Sequence, residues 1–179
     1  MELLDTHRRL LERWRDAMNL VGPGPLDEHY QDCAAALRGP PPEGRWADLG
    51  SGAGFPGVPL AATFPELTVR LVDSRKKRCA FLRQVLSEAE VPASRVDVIC
   101  ARVADLESGV WDGITARAFA PPAEVLGHAS RLLVAGGTAL LMLQEDQPLP
   151  EVDGFEVFHV ERYAVHGRAR RSVRLRRRG

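Results

Sequence analysis

The first forty residues place apolar side chains at helical spacing, with charged residues between them. This pattern predicts an amphipathic helix over residues 2–18, whose apolar face packs on a larger body. A second helix is expected from near Asp27 to Leu37, after the turn-forming sequence Gly22-Pro23-Gly24-Pro25. A stiff segment at 39–44 follows, so we expect residues 1–39 to form a helical N-terminal extension.

Beyond this extension, short apolar runs alternate with helical patterns. Strands are expected at 45–49, 69–72, 96–100, 113–116 and 138–143, and helices at 57–64, 76–89 and 122–133. This alternation predicts an α/β fold, in which right-handed crossovers build a mostly parallel, Rossmann-like sheet. We therefore expect residues 45–179 to form the core of a single domain.

The C-terminal part of the chain has a different pattern. Two strand-like runs, at 155–163 and 172–175, are separated by a turn at His166-Gly167 and by no helix, which predicts an antiparallel pair. From residue 162 to the end there are eight arginines and no acid, although the whole chain balances 24 basic against 24 acidic residues. This basic stretch favours contacts with nucleic-acid phosphates, but it is also typical of an exposed strand face and a solvated tail.

Composition narrows the class of protein. With 179 residues and 45% hydrophobic content, the chain can bury a core without disulfide or metal staples. The three cysteines, Cys33, Cys79 and Cys100, form no Cys-x-x-Cys pair, which argues against a zinc site and a disulfide framework. The charged start and the lack of a long apolar run predict a cytoplasmic protein without a membrane segment. We expect a monomer with no metal.

The most informative stretch is Asp48-Leu49-Gly50-Ser51-Gly52-Ala53-Gly54-Phe55-Pro56-Gly57, between the first strand and the next helix. Glycines at this point let the backbone turn tightly and approach a ligand closely. The part from Gly52 to Gly57 also fits the G-x-G-x-x-G pattern of dinucleotide-binding enzymes, which is a weak signal by itself. Two classes of cofactor therefore have to be separated.

Charge beside the loop separates these two classes. A dinucleotide would bring a pyrophosphate onto the helix N-terminus, where Asp48 would repel it and Pro56 offers no N–H. S-adenosylmethionine carries cationic ammonium and sulfonium groups, which Asp48 would stabilise. Asp73, after the second strand, is placed to accept hydrogen bonds from the ribose of either cofactor. Unless both acids only cap or terminate their elements, the loop favours S-adenosylmethionine.

Several motifs along the chain occur in one known family. They are Gly54-Phe55-Pro56-Gly57-Val58-Pro59-Leu60, Leu71-Val72-Asp73-Ser74, Lys77-Arg78, Phe81-Leu82, Trp14 with Asn19-Leu20, His29 with Asp32, Arg102, Arg117-Ala118 and Gly136-Gly137. In these motifs the chain resembles the guanine-N7 methyltransferases of bacterial 16S ribosomal RNA, also called glucose-inhibited division protein B. The resemblance implies a class I methyltransferase fold, S-adenosyl-L-methionine as cofactor, and ribosomal RNA or the small ribosomal subunit as partner.

The resemblance also implies roles for individual residues. The expected cofactor contacts are Asp48, Gly50, Gly52, Phe55, Asp73, Ser74, Val103, Ala104 and Arg117. The expected RNA contacts are His29, Asp32, Lys77, Arg78, Arg170 and Arg171. Arg117 is the expected catalytic residue, because it would face both cofactor and guanine. Without the family, His29 and Asp32 are typical of a solvated helix edge, and Lys77-Arg78 of a charged helix start.

The chain also departs from the family pattern. Leu143-Gln144 stands where the fifth strand of the family usually ends in Lys-Gly, Glu28 replaces a usual Arg, and Cys33 replaces a usual Ser. The missing lysine leaves open a non-catalytic RNA-binding relative, and the shared loop leaves open a methyltransferase of small molecules. Guanine N7 has a lone pair and no proton, so its methylation requires no general base. A chain without paired catalytic carboxylates fits that reaction.

Overall fold

The computed structural model describes residues 3–22 and 24–179. Helix α1 spans Leu3–Met18 and α2 spans Leu26–Ala36, which confirms the two predicted N-terminal helices. Residue 2, where the first helix was expected to begin, and Pro23 in the following turn lie outside the described residues.

Helix α1 is held to the rest of the molecule by one buried stripe. The stripe follows helical spacing and consists of Leu3, Thr6, His7, Leu10 and Leu11. Burying a leucine side chain contributes about 1.5–3 kcal/mol, so Leu10 and Leu11 alone give α1 a firm attachment. The helix packs on α3 (Gly57–Thr63) and α4 (Lys76–Glu88), which follow the first two strands.

One sheet of seven strands organises the chain. The strands are β1 (Arg45–Leu49), β2 (Thr68–Val72), β3 (Val96–Ile99), β4 (Trp111–Arg117), β5 (Leu133–Gln144), β6 (Phe155–Val165) and β7 (Arg168–Arg177). Their order in the sheet is β3-β2-β1-β4-β5-β7-β6, with β1 to β5 parallel and β7 antiparallel to both of its neighbours. The predicted Rossmann-like α/β fold with a C-terminal antiparallel pair is therefore confirmed.

The last three strands are longer than their apolar runs predicted. Strand β5 begins at Leu133, where it pairs with Trp111 ahead of the expected start, and β7 extends through arginines on both sides of its apolar segment. Because β7 lies between β5 and β6, its backbone is hydrogen-bonded along both edges, and this pairing keeps polar residues in the strand. Side-chain hydrophobicity alone underestimates the length of such a strand.

The parallel strands are buried on both faces of the sheet, as is usual for this architecture. Successive residues of β1 enter opposite cores: Trp46 belongs to the core that contains the buried residues of α1 to α4, and Ala47 to the core that contains those of α5 (Pro122–Leu132). The chain leaves β1 towards β2 on one side and later returns to β4 on the other. The carboxyl ends of β1 and β4 therefore form the switch point at which open α/β sheets place ligands.

Candidate active site at the carboxyl edge of the sheet

The glycine loop after β1 has a backbone that only glycine adopts easily. Gly50, Gly52 and Gly54 all have positive φ angles, of 69°, 56° and 101°. A Cβ atom at Gly50 would overlap the ring of Phe119, which packs directly on the backbone there. The amide of Ser51 donates to the carbonyl of Val72 at 2.8 Å, so the loop is anchored to the end of β2. The loop thus exposes fixed backbone at the switch point.

Asp73 ties this loop to the segment after β2. Its side chain is 5% exposed, and its two carboxylate oxygens accept from the amides of Gly52 at 2.9 Å and Arg75 at 2.8 Å. The guanidinium of Arg78 lies 3.6 Å from the same carboxylate. A carboxylate offers about four lone-pair sites, so Asp73 keeps acceptor capacity for a ligand hydroxyl.

A pocket of about 560 Å³ opens beside Asp73, and we call it the inner pocket. Its walls include Gly50, Asp73, Ser74, Arg78, Val103, Ala104, Ala118 and Phe119. Small and apolar residues form most of the wall at the short helical turn Val103–Asp105. The volume and the single buried carboxylate are typical of a pocket for one small organic ligand.

The structure corrects the expected position of Asp48. Its side chain is fully buried beneath the loop and is absent from the walls of the pockets described here. One oxygen, Oδ2, accepts from the amide of Gly57 at 3.1 Å, and Oδ1 has no hydrogen-bond partner among the described residues. Burial raises the pKa of Asp48 to about 6, against the lowering effect of its hydrogen bonds. Asp48 therefore acts on the site from beneath the glycine loop, through the electrostatic field of its carboxylate.

A second pocket of about 380 Å³, the outer pocket, adjoins the inner one through Gly50, Arg78 and Ala118. Arg117, at the end of β4, is its central cation. Its Nη1 lies 3.3 Å from both His29 Nδ1 and Asp32 Oδ2, and its guanidinium stacks 4.8 Å from the centroid of Phe55. Burial, followed by the charge of Arg117, lowers the pKa of His29, so the ring accepts from Arg117 as a neutral imidazole.

Asp32 holds Arg117 in place. Although the sequence pattern placed it at an open helix edge, its side chain is only 7% exposed. It accepts from the Tyr163 hydroxyl at 2.9 Å, and Arg170 Nε lies 3.7 Å from its Oδ1. With all these partners, Asp32 links α2 to β4, β6 and β7. Asp32 also lines the outer pocket, so its direct contact with RNA stays a prediction beside this supporting role.

The other residues expected to bind RNA separate into two groups. Lys77 is exposed at the start of α4, and Arg170 lines the outer pocket. Arg78 lies between both pockets, within reach of Asp73. Arg171 instead donates to the carbonyl of Gln147 at 2.6 Å, because adjacent residues of a strand point to opposite faces. The structure thus brings Arg170, and not Arg171, to the outer pocket.

The comparisons with known proteins agree with this geometry. The model of the rRNA small subunit methyltransferase G family matches residues 1–168. The chain belongs to this family. A ribosomal RNA small subunit methyltransferase G of Halorhodospira halophila is 37% identical, over 94% of this chain and 85% of the relative. One of Jannaschia sp. is 36% identical over 72% of this chain, and this match spans only 64% of the relative's length.

Solved structures place the fold among methyltransferases. The magnesium protoporphyrin IX methyltransferase of Synechocystis, solved with bound S-adenosylmethionine, aligns with a TM-score of 0.64. The alignment covers 99% of this chain and 97% of that enzyme at 16% identity, so it supports the architecture alone. Among the residues that the structure describes, no helix could cross a membrane and no cluster of side chains could hold a metal ion.

The site residues of this chain fit S-adenosylmethionine. The positive-φ glycine backbone leaves room for a ligand to approach, and Asp73 retains acceptor capacity for ribose hydroxyls. The unpartnered oxygen of Asp48, beneath the loop, favours a cation above it. Val103 and Ala104 supply an apolar wall for a base. No phosphate-binding arrangement is needed for this ligand.

Sequence reasoning missed four residues of this candidate site. His7, Tyr30, Phe119 and Tyr163 all contact the loop or the Arg117 network. For three of them the sequence contained no evident signal, because their partners are distant in the chain. His7 did carry one, since it is a polar residue within the apolar stripe of α1.

Proposed function

We propose that this chain transfers a methyl group from S-adenosylmethionine to N7 of a guanine in 16S ribosomal RNA. Family membership supports the reaction class, and the junction of two pockets at Gly50 supports the geometry. The inner pocket is suited to the nucleoside part of the cofactor. The outer pocket, where Arg117 lies beside Phe55, is suited to a guanine entering from the surface.

The outer pocket suits a reaction that needs no proton acceptor. Asp32, its buried carboxylate, is engaged by Arg117, Tyr163 and Arg170, and is therefore a poor base. When bound, S-adenosylmethionine supplies an electrophilic methyl group, and the N7 lone pair of guanine is a sufficient nucleophile. Positioning of this kind can contribute about 7–11 kcal/mol of barrier reduction. Arg117 is the residue that we assign to orient the guanine.

The charge at the pocket mouth supports an RNA substrate. Arg168 and Arg170 of the C-terminal hairpin line the outer pocket together with Arg78, and Lys77 lies beside Arg78 in the first turn of α4. Cations on both sides of the opening attract phosphates and release counterions from the RNA. The target base would have to be unstacked or already lie in a loop.

The cellular setting follows from the proposed substrate. Ribosomal subunits occupy the cytoplasm of bacteria, so we propose a cytoplasmic enzyme that acts on 16S RNA or on the small subunit. We also propose that it acts as a monomer. Light scattering during size-exclusion chromatography measures this directly, and a stable dimer would contradict the proposal.

The decisive assay uses labelled S-adenosylmethionine and small subunits from a strain that lacks the enzyme. We expect label in 16S RNA and strand scission at one guanine after chemical cleavage specific for N7-methylguanine. Arg117→Ala should lower the methylation rate at least 100-fold, roughly 3 kcal/mol of transition-state stabilisation. Arg176→Ala is the matched control, because this arginine stacks on Phe158 far from the proposed site.

Two results would contradict the proposal. Label on a different atom or on a small molecule would show that the proposed substrate is wrong. Binding of cofactor and RNA without methyl transfer would indicate a non-catalytic relative. A rate for Arg117→Ala within a few-fold of wild type would refute the role of Arg117 while leaving the reaction in place.

A further inference from the structure

His7 of α1 is a fully buried histidine that contacts the glycine loop. Its Nε2 lies 2.6 Å from the carbonyl oxygen of Ala53, and its Nδ1 lies 2.8 Å from the hydroxyl of Tyr30. Both partners are remote in sequence, 46 and 23 residues away. The residue is not required for the packing of α1 alone, because an apolar side chain would serve that purpose better.

The two partners define the tautomer of His7. A carbonyl oxygen only accepts, so Nε2 must carry the proton and donate it to Ala53. The other nitrogen, Nδ1, is then an acceptor, and the Tyr30 hydroxyl donates to it. Both ring nitrogens of a neutral imidazole are thereby satisfied, and the hydrogen bond has a fixed direction towards the loop.

The Ala53 carbonyl is a sensitive point of the loop. Ala53 lies between Gly52 and Gly54, both of which have positive φ and few steric restraints on their backbone. The amide of Gly52 is bound by Asp73 on one side, and His7 binds the Ala53 carbonyl on the other. The two hydrogen bonds together fix the orientation of the Ser51–Gly52 and Ala53–Gly54 peptide groups, where the loop lines the outer pocket.

A second contact leads from His7 to Arg117. The imidazole meets the ring of Phe55 edge to face, with centroids 5.1 Å apart, and Tyr30 meets the same ring at 5.0 Å. Phe55 in turn lies under the guanidinium of Arg117 at 4.8 Å. A shift of the His7 ring would therefore be transmitted to the loop backbone and to the floor of the outer pocket.

We propose that His7 is a positioning residue of the methyl-donor site, which acts through the Ala53 carbonyl and the Phe55 ring. The N-terminal extension then contributes to cofactor binding by a directed hydrogen bond and does more than cover the core. The inference rests on the proposed placement of S-adenosylmethionine over the glycine loop. It assigns to His7 no contact with the cofactor and no part in proton transfer.

Two substitutions separate the two nitrogens of His7. The amide nitrogen of glutamine can reach the position of Nε2, so His7→Gln retains a donor for Ala53. Asparagine reaches only the position of Nδ1, so His7→Asn retains the contact with Tyr30 and loses the one with the loop. Both variants place an uncharged amide in the same buried site and both lose the packing of the imidazole ring. Each variant therefore controls for this loss in the other.

Calorimetric titration with S-adenosylhomocysteine, together with thermal unfolding of each protein, tests the inference. We expect the dissociation constant of His7→Gln to stay within about twofold of wild type, and that of His7→Asn to rise about five- to tenfold, as the loss of one directed hydrogen bond implies. In methylation assays the KM for cofactor should likewise rise in His7→Asn and stay near the wild-type value in His7→Gln.

The outcomes distinguish the inference from the proposed function. Equal dissociation constants for the two variants would overturn the positioning role of His7, as would affinities that follow only the loss of thermal stability. If the wild-type protein does not bind S-adenosylhomocysteine, the proposed cofactor site fails and this inference fails with it. Tight wild-type binding with no difference between the variants would leave the proposed function in place and overturn only the positioning role of His7.

Discussion

Two cavities of about the same volume, 560 Å³, lie at opposite ends of the parallel strands. The inner pocket is at the carboxyl ends. The other, which we call the amino-edge cavity, is at the first residues of β1, β4 and β5 and is lined among others by Trp46, Asp112, Gly136 and Arg174. Because their volumes are alike, size does not show which one binds a ligand.

The polar groups of the two cavities differ in what they already bind. At the amino edge, Asp112 accepts from the amide of Arg45 at 2.7 Å, and Arg174 donates to the carbonyls of Pro40 and Leu37. These contacts hold one segment of the fold against another. In the inner pocket Asp73 also binds the chain, but the segment it holds is the positive-φ glycine loop. The two cavities therefore differ in the backbone that lines them and in the end of the strands at which they lie. These two features, and not volume, distinguish the candidate ligand site.

Removing the carboxylate of each cavity gives the largest expected difference. Asp73→Ala should raise the dissociation constant for S-adenosylhomocysteine about 100-fold, since hydrogen bonds to charged groups contribute about 1.5–3 kcal/mol and the loop also loses its anchor. Asp112→Ala should leave the constant within twofold. Calorimetry on both variants measures this, and equal effects would remove the distinction between the cavities.

The pH dependence of stability reports on the two buried groups beneath the loop. Burial lowers the pKa of His7 from 6.5 to about 4, so the unfolded state alone takes a proton as the pH falls from 6.5. This costs about 3 kcal/mol of stability by pH 4. Burial raises the pKa of Asp48 from 3.8 to about 6, so as the pH falls the folded state takes up this proton before the unfolded state does and gains about 2 kcal/mol over nearly the same interval.

The two effects should nearly cancel in the wild-type protein. Asp48→Asn removes the opposing one, and its free energy of unfolding should then fall by about 2 kcal/mol relative to wild type between pH 6.5 and pH 4. Urea unfolding at a series of pH values measures both proteins. Parallel pH profiles would show that the loop does not bury these groups as described.

A matched pair of glycines gives a smaller effect. Gly50 and Gly136 have similar φ angles, 69° and 79°, so alanine at either should cost roughly 1–2 kcal/mol of stability. Only at Gly50 would the new Cβ overlap a side chain, that of Phe119, whereas the space at Gly136 is open. We expect Gly50→Ala to weaken S-adenosylhomocysteine binding about tenfold and Gly136→Ala to leave it unchanged. An effect of the same size in both would assign it to global stability.

The glycine loop and Asp73 could be predicted from the sequence because their signals are local. Three glycines after one strand and an acid after the next predict a ligand-binding turn, however the rest of the chain packs. The alternation of strands and helices likewise defined the parallel sheet, and errors were confined to element ends. Strand β7 was underestimated because its arginines are stabilised by backbone pairing on both sides, which side-chain patterns do not report.

The supporting residues could not be predicted because they depend on tertiary contacts. The hydroxyl of Tyr163 reaches Asp32 across 131 residues of sequence, and Arg117 reaches Asp32 across 85. Spacing on α2 indicated only that His29 and Asp32 share a face. Whether that face meets solvent or a buried arginine is decided by how α2 packs against β6, and the sequence has no local mark of this.

The central claim is that the inner pocket, and not the amino-edge cavity, receives the methyl donor. A crystal structure of the protein with S-adenosylhomocysteine tests it most directly. We predict density over Gly50 to Gly54 with the ribose hydroxyls on Asp73 and the base against Val103 and Ala104. Density at Asp112 and Arg174, with the glycine loop vacant, would contradict it.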